Sequence, residues 1–216
     1  MAHEGDFLKL LRQPDLAPEV LEPILRDRQA RKYHAVRLAL ARHPRTPRGE
    51  ALSLVATLFW RDLAILSADV RVHPLIRRAA DGELLRRLPE MALAERVDLA
   101  RTTGRGTLVA LRTDPDPRVL SAVLDNRFAT EPDVVVAAVG GVADVLELIA
   151  RHPRWGVRPA VRSAVLRNPA LPPALALGLL ARASEEDLKG LRDSPGASPL
   201  VRACAERMLA QRAAWG

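Results

Sequence analysis

Three histidines, one cysteine and a short glycine-containing loop are the residues of this chain whose types invite a chemical reading. A metal ion held by His43, His73 and His152 would need imidazoles from three different turns to converge on one centre. Nothing in their spacing brings them together, so no metal site is expected. His43 and His152 both stand in Arg-His-Pro turns and read as helix-end residues whose side chains bond nearby backbone. Cys204 is the single cysteine, which excludes an internal disulfide and any multi-cysteine metal site. It falls on the apolar face of a helical pattern and reads as a small core residue. The stretch TTGRG at 102–106 lacks the Lys-Ser/Thr pair and the strand that a phosphate loop needs. No serine or cysteine stands in a strained turn as the nucleophile of a triad. The expectation is therefore no catalytic residue, no cofactor and no small-molecule substrate.

Charge is the chemistry that remains. The 216 residues carry 33 Lys and Arg against 26 Asp and Glu, a net charge of +7, and only Lys9, Lys32 and Lys189 are lysines. Such a balance favours anionic partners, whether it arises from function or from a GC-rich coding bias toward Arg, Ala and Pro. The surplus is concentrated. Residues 26–48 hold Arg26, Arg28, Arg31, Lys32, Arg37, Arg42, Arg45 and Arg48 against the single acid Asp27, a surplus equal to that of the whole chain. Tyr33 and Trp60 are placed to border this surface. It reads either as a solvated arginine-rich helix face or as an anion-binding patch.

The elements that position these residues are helical. Aromatics are only 3% of the chain, too few for a β-sandwich core, while Ala, Leu and Arg, all strong helix formers, dominate. Residues 34–80 slide onto 159–205 without a gap and match at 18 of 47 positions, among them Arg37/Arg162, Pro44/Pro169, Pro47/Pro172, Asp62/Asp187 and Pro74/Pro199. An apolar residue opens each unit at Val36, Ile76, Val119, Val161 and Val201. These intervals fall in the range of about 40–47 residues found for helical repeats. In the unit from Pro159, a proline suits a first helical turn, Val161, Ala164 and Val165 make one stripe, and Asn168 before Pro169 stops the helix. Pro172-Pro173 starts a second helix, and Ser184 with Asp187 has capping-box spacing for a short third. The unit from Ile76 has lost the Arg-X-Pro stop. The final helix presents Val201, Cys204, Ala205, Met208 and Leu209 as one stripe and reads as a cap.

The segments RTDPDPRVLSAVL at 112–124 and SPLVRACA at 198–205 resemble the helix start of HEAT and armadillo-like repeats. VRSAVLRNPALPP at 161–173 resembles the leucine-rich repeat variant, another helical solenoid. The resemblance covers about residues 10–210. It implies an all-α fold: a right-handed α-α superhelix of four to five units of about 42 residues, in one domain over residues 1–216. A partial unit would span 7–33, units would begin near 34, 75, 117 and 159, and a capping helix would cover 199–213. Such arrays link neighbours through Arg and Asp, so the ladder Arg37, Arg77, Arg162 and Arg202 reads as inter-repeat pairing or as a ligand stripe. It also implies function by binding rather than by catalysis.

Internal repetition separates folding from function, because a residue that breaks the pattern is freer to serve a partner. Trp60 and Arg61 stand where Glu185 and Glu186 do, Arg45 replaces Ala170, Arg48 replaces Pro173, Arg71 replaces Gly196 and Arg78 replaces Ala203. The candidate binding residues are thus Arg26, Arg28, Arg31, Lys32, Tyr33, Arg45, Arg48, Trp60, Arg61 and Arg71. The expected function is a non-enzymatic scaffold, monomeric and cytoplasmic, whose partner is a protein with an acidic surface. The alternative is nucleic-acid binding, with a HEAT-like DNA repair glycosylase as its catalytic form. Trp60 and Asp62 would be its aromatic platform and carboxylate, but residues two apart on a helix face away from each other. Trp155 and Trp215 read as packing residues at turns or ends. The opening MAHEGDFLKL has no signal-peptide pattern, and the longest apolar run, 134–143, is too short to span a bilayer.

Overall fold

The computed structural model describes residues 3–215, and among these every regular element is helical. The chain divides into two compact units, residues 1–108 and 109–216. The first contains α1 (Glu4–Leu10), α2 (Pro18–Arg26), α3 (His34–Arg42), α4 (Arg48–Val55), α5 (Trp60–Ala68), α6 (Pro74–Arg87) and α7 (Leu93–Thr102). The division falls within α8 (Arg105–Leu111). The second unit holds α9 (Pro117–Asp125), α10 (Glu131–Gly140), α11 (Ala143–Arg151), α12 (Pro159–Arg167), α13 (Pro173–Leu180), α14 (Glu185–Arg192) and α15 (Pro199–Trp215). Helices pack on chain neighbours and on the helix two places along: α3 on α1 and α4, α6 on α4 and α5, α12 on α10, α13 and α14.

Helices open where the apolar pattern and the prolines place them. Val36, Val119, Val161 and Val201 are fully buried, and Ile76 nearly so. α6 is long because no stop interrupts it: where α3 and α12 meet a C-terminal His43 or Asn168, α6 continues through Glu83 to Arg87. The third helix of the unit from Pro159 is real. Ser184 caps α14 by accepting the Asp187 amide at 3.0 Å, while the Asp187 carboxylate takes the Ser184 amide at 3.1 Å.

One turn ends six of the helices. Asp27, His43, Asp69, Asn126, His152 and Asn168 are the C-terminal cap residues of α2, α3, α5, α9, α11 and α12, each with extended backbone (ψ between 105° and 135°). In each, the side chain accepts the amide of the residue two positions on, at 2.7–3.2 Å. In each, the residue three positions on is buried: Ala30, Thr46, Val72, Ala129, Trp155 and Leu171. A carboxylate, an amide oxygen and an unprotonated Nδ1 are interchangeable here because only an acceptor is required. Asp27 and Asp69 are 42 residues apart, as are Asn126 and Asn168.

Asn168 shows what the turn contributes to packing. Its amide nitrogen donates to the carbonyls of Ala138 (2.8 Å), Val139 (3.1 Å) and Gly141 (2.9 Å), oxygens at the end of α10 that the helix leaves unpaired. The side chain is buried, so Asn168→Ala strands these carbonyls and the Ala170 amide, and should cost on the order of 2–4 kcal/mol in urea unfolding. Asn168→Asp keeps the acceptor but aims a carboxylate at three oxygens. It should be less stable than the alanine variant at pH 7 and recover as the acid protonates. Equal stability of all three proteins would refute this role.

Candidate functional site

The basic segment 26–48 covers the end of α2, a 3₁₀ turn at Ala30–Lys32, all of α3 and the start of α4. Carboxylates from outside the segment meet half of its cations. Arg26 pairs with Glu22 at 3.1 Å, Arg31 with Glu50 at 2.7 Å, Arg42 with Asp69 at 2.5 Å and Arg45 with Asp15 at 3.6 Å. The Arg31 Nε also donates to the Leu25 carbonyl at 2.6 Å, which makes this half-buried arginine a brace between helices. Among the described residues, no carboxylate lies within ion-pair reach of Arg28, Lys32 or Arg48. The Arg31–Glu50 bridge ties the 3₁₀ turn, which carries Lys32 and follows Arg28, to the first turn of α4, which carries Arg48.

The other candidates divide. Tyr33 is half-buried, its ring 6.4 Å from that of Phe7. The Trp60 indole donates to Glu95 at 3.2 Å and has the Arg61 guanidinium 4.9 Å from its ring centre, while Arg61 reaches Asp98 at 3.7 Å. Both tie α5 to α7. Arg71 is exposed and grips Asp69 through Nε (3.0 Å) and an Nη (3.1 Å). With Arg42 on the same carboxylate, Asp69 holds two guanidiniums, and the Arg71 hydrogen bond is the leading cause that keeps its carboxyl far below the usual range.

Beside this triad lies a cleft of about 620 Å³, open to solvent on one side. Leu8, Leu11 and Pro14 form one wall, Ala35, Leu38 and Ala39 of α3 form the floor, and Arg12, Arg42, Asp69 and Arg71 line its polar edge. His43 stands at its base, with Nδ1 accepting the Arg45 amide and Nε2 2.8 Å from the Gln13 carbonyl. These partners assign the proton to Nε2. The cleft was not legible in the sequence, although Arg71 for Gly196 hinted at it.

Several expectations change. The arginine ladder does not pair with aspartates of neighbouring units: Arg37 and Arg162 donate to the nearby carbonyls of Arg31 (3.2 Å) and Val157 (3.0 Å). Inter-helix Arg–Asp pairs include Arg42–Asp69, Arg61–Asp98 and, wholly buried on the acid side, Arg112–Asp133 at 2.8 Å. Asp62 and Asp187 share a place but not a task. Phe59 stands where Ser184 caps α14, so the Asp62 carboxylate turns to His34 of α3, whose ring lies 4.4 Å from Phe59. Cys204 is half-buried rather than a core residue. Trp155 packs in a turn as expected, its indole donating to the Leu124 carbonyl at 2.9 Å, whereas the side chain of Trp215 lies outside the described residues.

TTGRG is a packing motif. A Cβ on Gly104 would come within 2.2 Å of the Ser67 carbonyl oxygen, and one on Gly106 within 2.3 Å of the Asp81 carboxylate. Asp81 accepts from the Thr107 amide (3.0 Å) and hydroxyl (2.7 Å), and burial pushes its carboxyl up against those bonds. Among the described residues no group of three potential metal ligands converges, and no helix is long and apolar enough to cross a membrane.

Comparison with protein-family models, curated proteins and solved structures finds no match for the chain.

The doubly gripped Asp69 gives a signed pH dependence. Because its carboxyl is lowered, the triad's stabilisation is present above the ordinary carboxylate range and is lost as pH falls through it. Asp69→Asn should lower Tm by about 2–4 °C at pH 7, and the gap to the unmodified protein should narrow as the buffer is taken from pH 5 toward pH 2. A gap that is constant over this range would show that the charge plays no part.

Proposed function

We propose that the protein is a helical-repeat scaffold, a right-handed α-α superhelix of four to five units of about 42 residues, that acts without catalysis by binding a protein with an acidic surface. Support for the repeat comes from the turns 42 residues apart and from the buried residue that opens each unit. Support for an acidic partner comes from one observation: Arg28, Lys32 and Arg48 are exposed, have no carboxylate within ion-pair reach among the described residues, and stand on elements joined by the Arg31–Glu50 bridge, which makes them one charged corner of the proposal. Three cations are few for a phosphate backbone, whose binding grows with each phosphate neutralised. They suit the rim of a protein interface, where charge steers encounter and selects partners.

The test removes these cations without touching a structural pair. Arg28, Lys32 and Arg48 are replaced by Gln, and a control replaces the exposed Arg182, Arg202 and Arg207, which removes equal charge. Each change should shift stability by less than about 0.5 kcal/mol. The unmodified protein, immobilised in nuclease-treated lysate, should capture partners that the corner variant loses and the control keeps. Equal loss in both variants would reduce the effect to net charge. Capture abolished by nuclease would replace the protein partner with a nucleic acid.

A further inference from the structure

We infer that the cleft between α1 and α3 is the seat of the partner's anchoring segment, a peptide that carries leucine-like side chains next to a carboxylate. This inference rests on the scaffold reading above and adds where, and by what chemistry, the partner is held.

The first argument is charge. Asp69 accepts from both Arg42 and Arg71, and two guanidiniums on one carboxylate leave a fixed positive surplus at the polar edge of the cleft. Asp69 occupies one Nη of Arg42, and the Nε and one Nη of Arg71, so each guanidinium keeps N–H donors for a further acceptor. Arg12, exposed in the same lining, has no carboxylate within ion-pair reach among the described residues. An incoming carboxylate would meet donors already oriented by Asp69, so little ordering remains to be done on binding.

The second is shape. The volume lies within the range of about 300–1,000 Å³ typical of recognition sites, with a mainly apolar lining and few polar groups at the edge. Ala35 and Ala39, one turn apart on α3, leave the hollow that Leu8, Leu11 and Leu38 border. An open side admits a chain segment rather than a fully enclosed molecule.

The third comes from internal repetition. Ser194, Gly196 and Ser163 stand in the later unit where Asp69, Arg71 and Leu38 stand here. The later turn closes through its backbone, the Ala197 amide donating to the Ser194 carbonyl at 3.3 Å as Val72 does to Asp69 at 3.0 Å, while α14 ends at Asp193, so the charged pair and the leucine are not needed to close it. Another depression, beside α9 and α11, offers no such contrast. Its Arg118 and Arg151 are each neutralised, by Asp116 (2.9 Å) and Glu147 (2.7 Å).

The probe is a library of random 16-residue peptides displayed on phage and selected on the full chain. Enriched sequences should carry Asp or Glu beside Leu, Ile or Met. Their synthetic forms should bind Arg12→Gln/Arg71→Gln at least about tenfold more weakly, the loss expected for charge-assisted hydrogen bonds. Leu38→Asp, checked for an unchanged circular dichroism spectrum, should abolish binding. Hydrogen exchange should show protection of residues 8–12, 35–42 and 69–72 on binding. The Arg28/Lys32/Arg48 variant separates the two proposals: peptides weakened by that variant alone would overturn the cleft and keep the charged corner. Binding indifferent to all the variants, or enrichment of peptides without acidic residues, would overturn the cleft as the anchoring site.

Discussion

A helix that ends without a left-handed residue leaves carbonyl oxygens that some other group must reach. Among the described residues no backbone has positive φ, glycines included, so the usual glycine caps are absent throughout. The chain answers, at these carbonyls and at those of the loops just after the helices, with donors that arrive about one helix pair later. His43 lies 2.8 Å from the Gln13 carbonyl, Arg87 reaches Leu58 (2.8 Å), Trp155 reaches Leu124 (2.9 Å), Asn168 reaches Ala138 (2.8 Å) and Arg212 reaches Ala183 (3.1 Å). Each donor follows its acceptor by 29–31 residues. A buried carbonyl left without such a donor would cost the full desolvation penalty.

Several arginines serve backbone carbonyls, some at helix ends and others in the turns that precede a helix. Arg31, Arg37, Arg87, Arg96, Arg154, Arg162 and Arg212 all donate to backbone carbonyls. A guanidinium can bond a carbonyl and a carboxylate at once, as Arg87 does with Leu58 and Glu83, because its donors lie in a rigid plane. A lysine in that position has a single charged nitrogen. Part of the positive charge on this chain is thus engaged with backbone carbonyls, whereas Arg12, Arg28, Lys32 and Arg48 have no carboxylate within ion-pair reach among the described residues.

The sequence made the helices legible because their signals are local. A proline at a helix start, an i, i+3, i+4 stripe and an Asn-Pro stop act within one turn, and α12 to α14 follow from them directly. It also placed His43 and Asn168 at equivalent helix ends. Charge was less legible, since the surplus of residues 26–48 was counted along the chain while Asp15, Glu22, Glu50 and Asp69 approach it through space. Asp62 shows the same limit: its position matches Asp187, but its task was decided by Phe59 and His34, which break the pattern nearby. The cleft depends on what α1 does not cover, and that has no periodic signature.

Hydrogen exchange at the tryptophan side chains probes the carbonyl staples most directly. The Trp155 indole N–H is buried against Leu124, whereas the Trp60 indole N–H meets a half-exposed Glu95 at 3.2 Å. In a proton–nitrogen NMR spectrum followed after transfer to heavy water, the Trp155 indole signal should persist with the slowest backbone amides of α9 and α12. The Trp60 signal should vanish first. Loss of both indole signals at the same fast rate would contradict the account, because the Leu124 carbonyl would then be open to solvent and the helix ends would not be held as described.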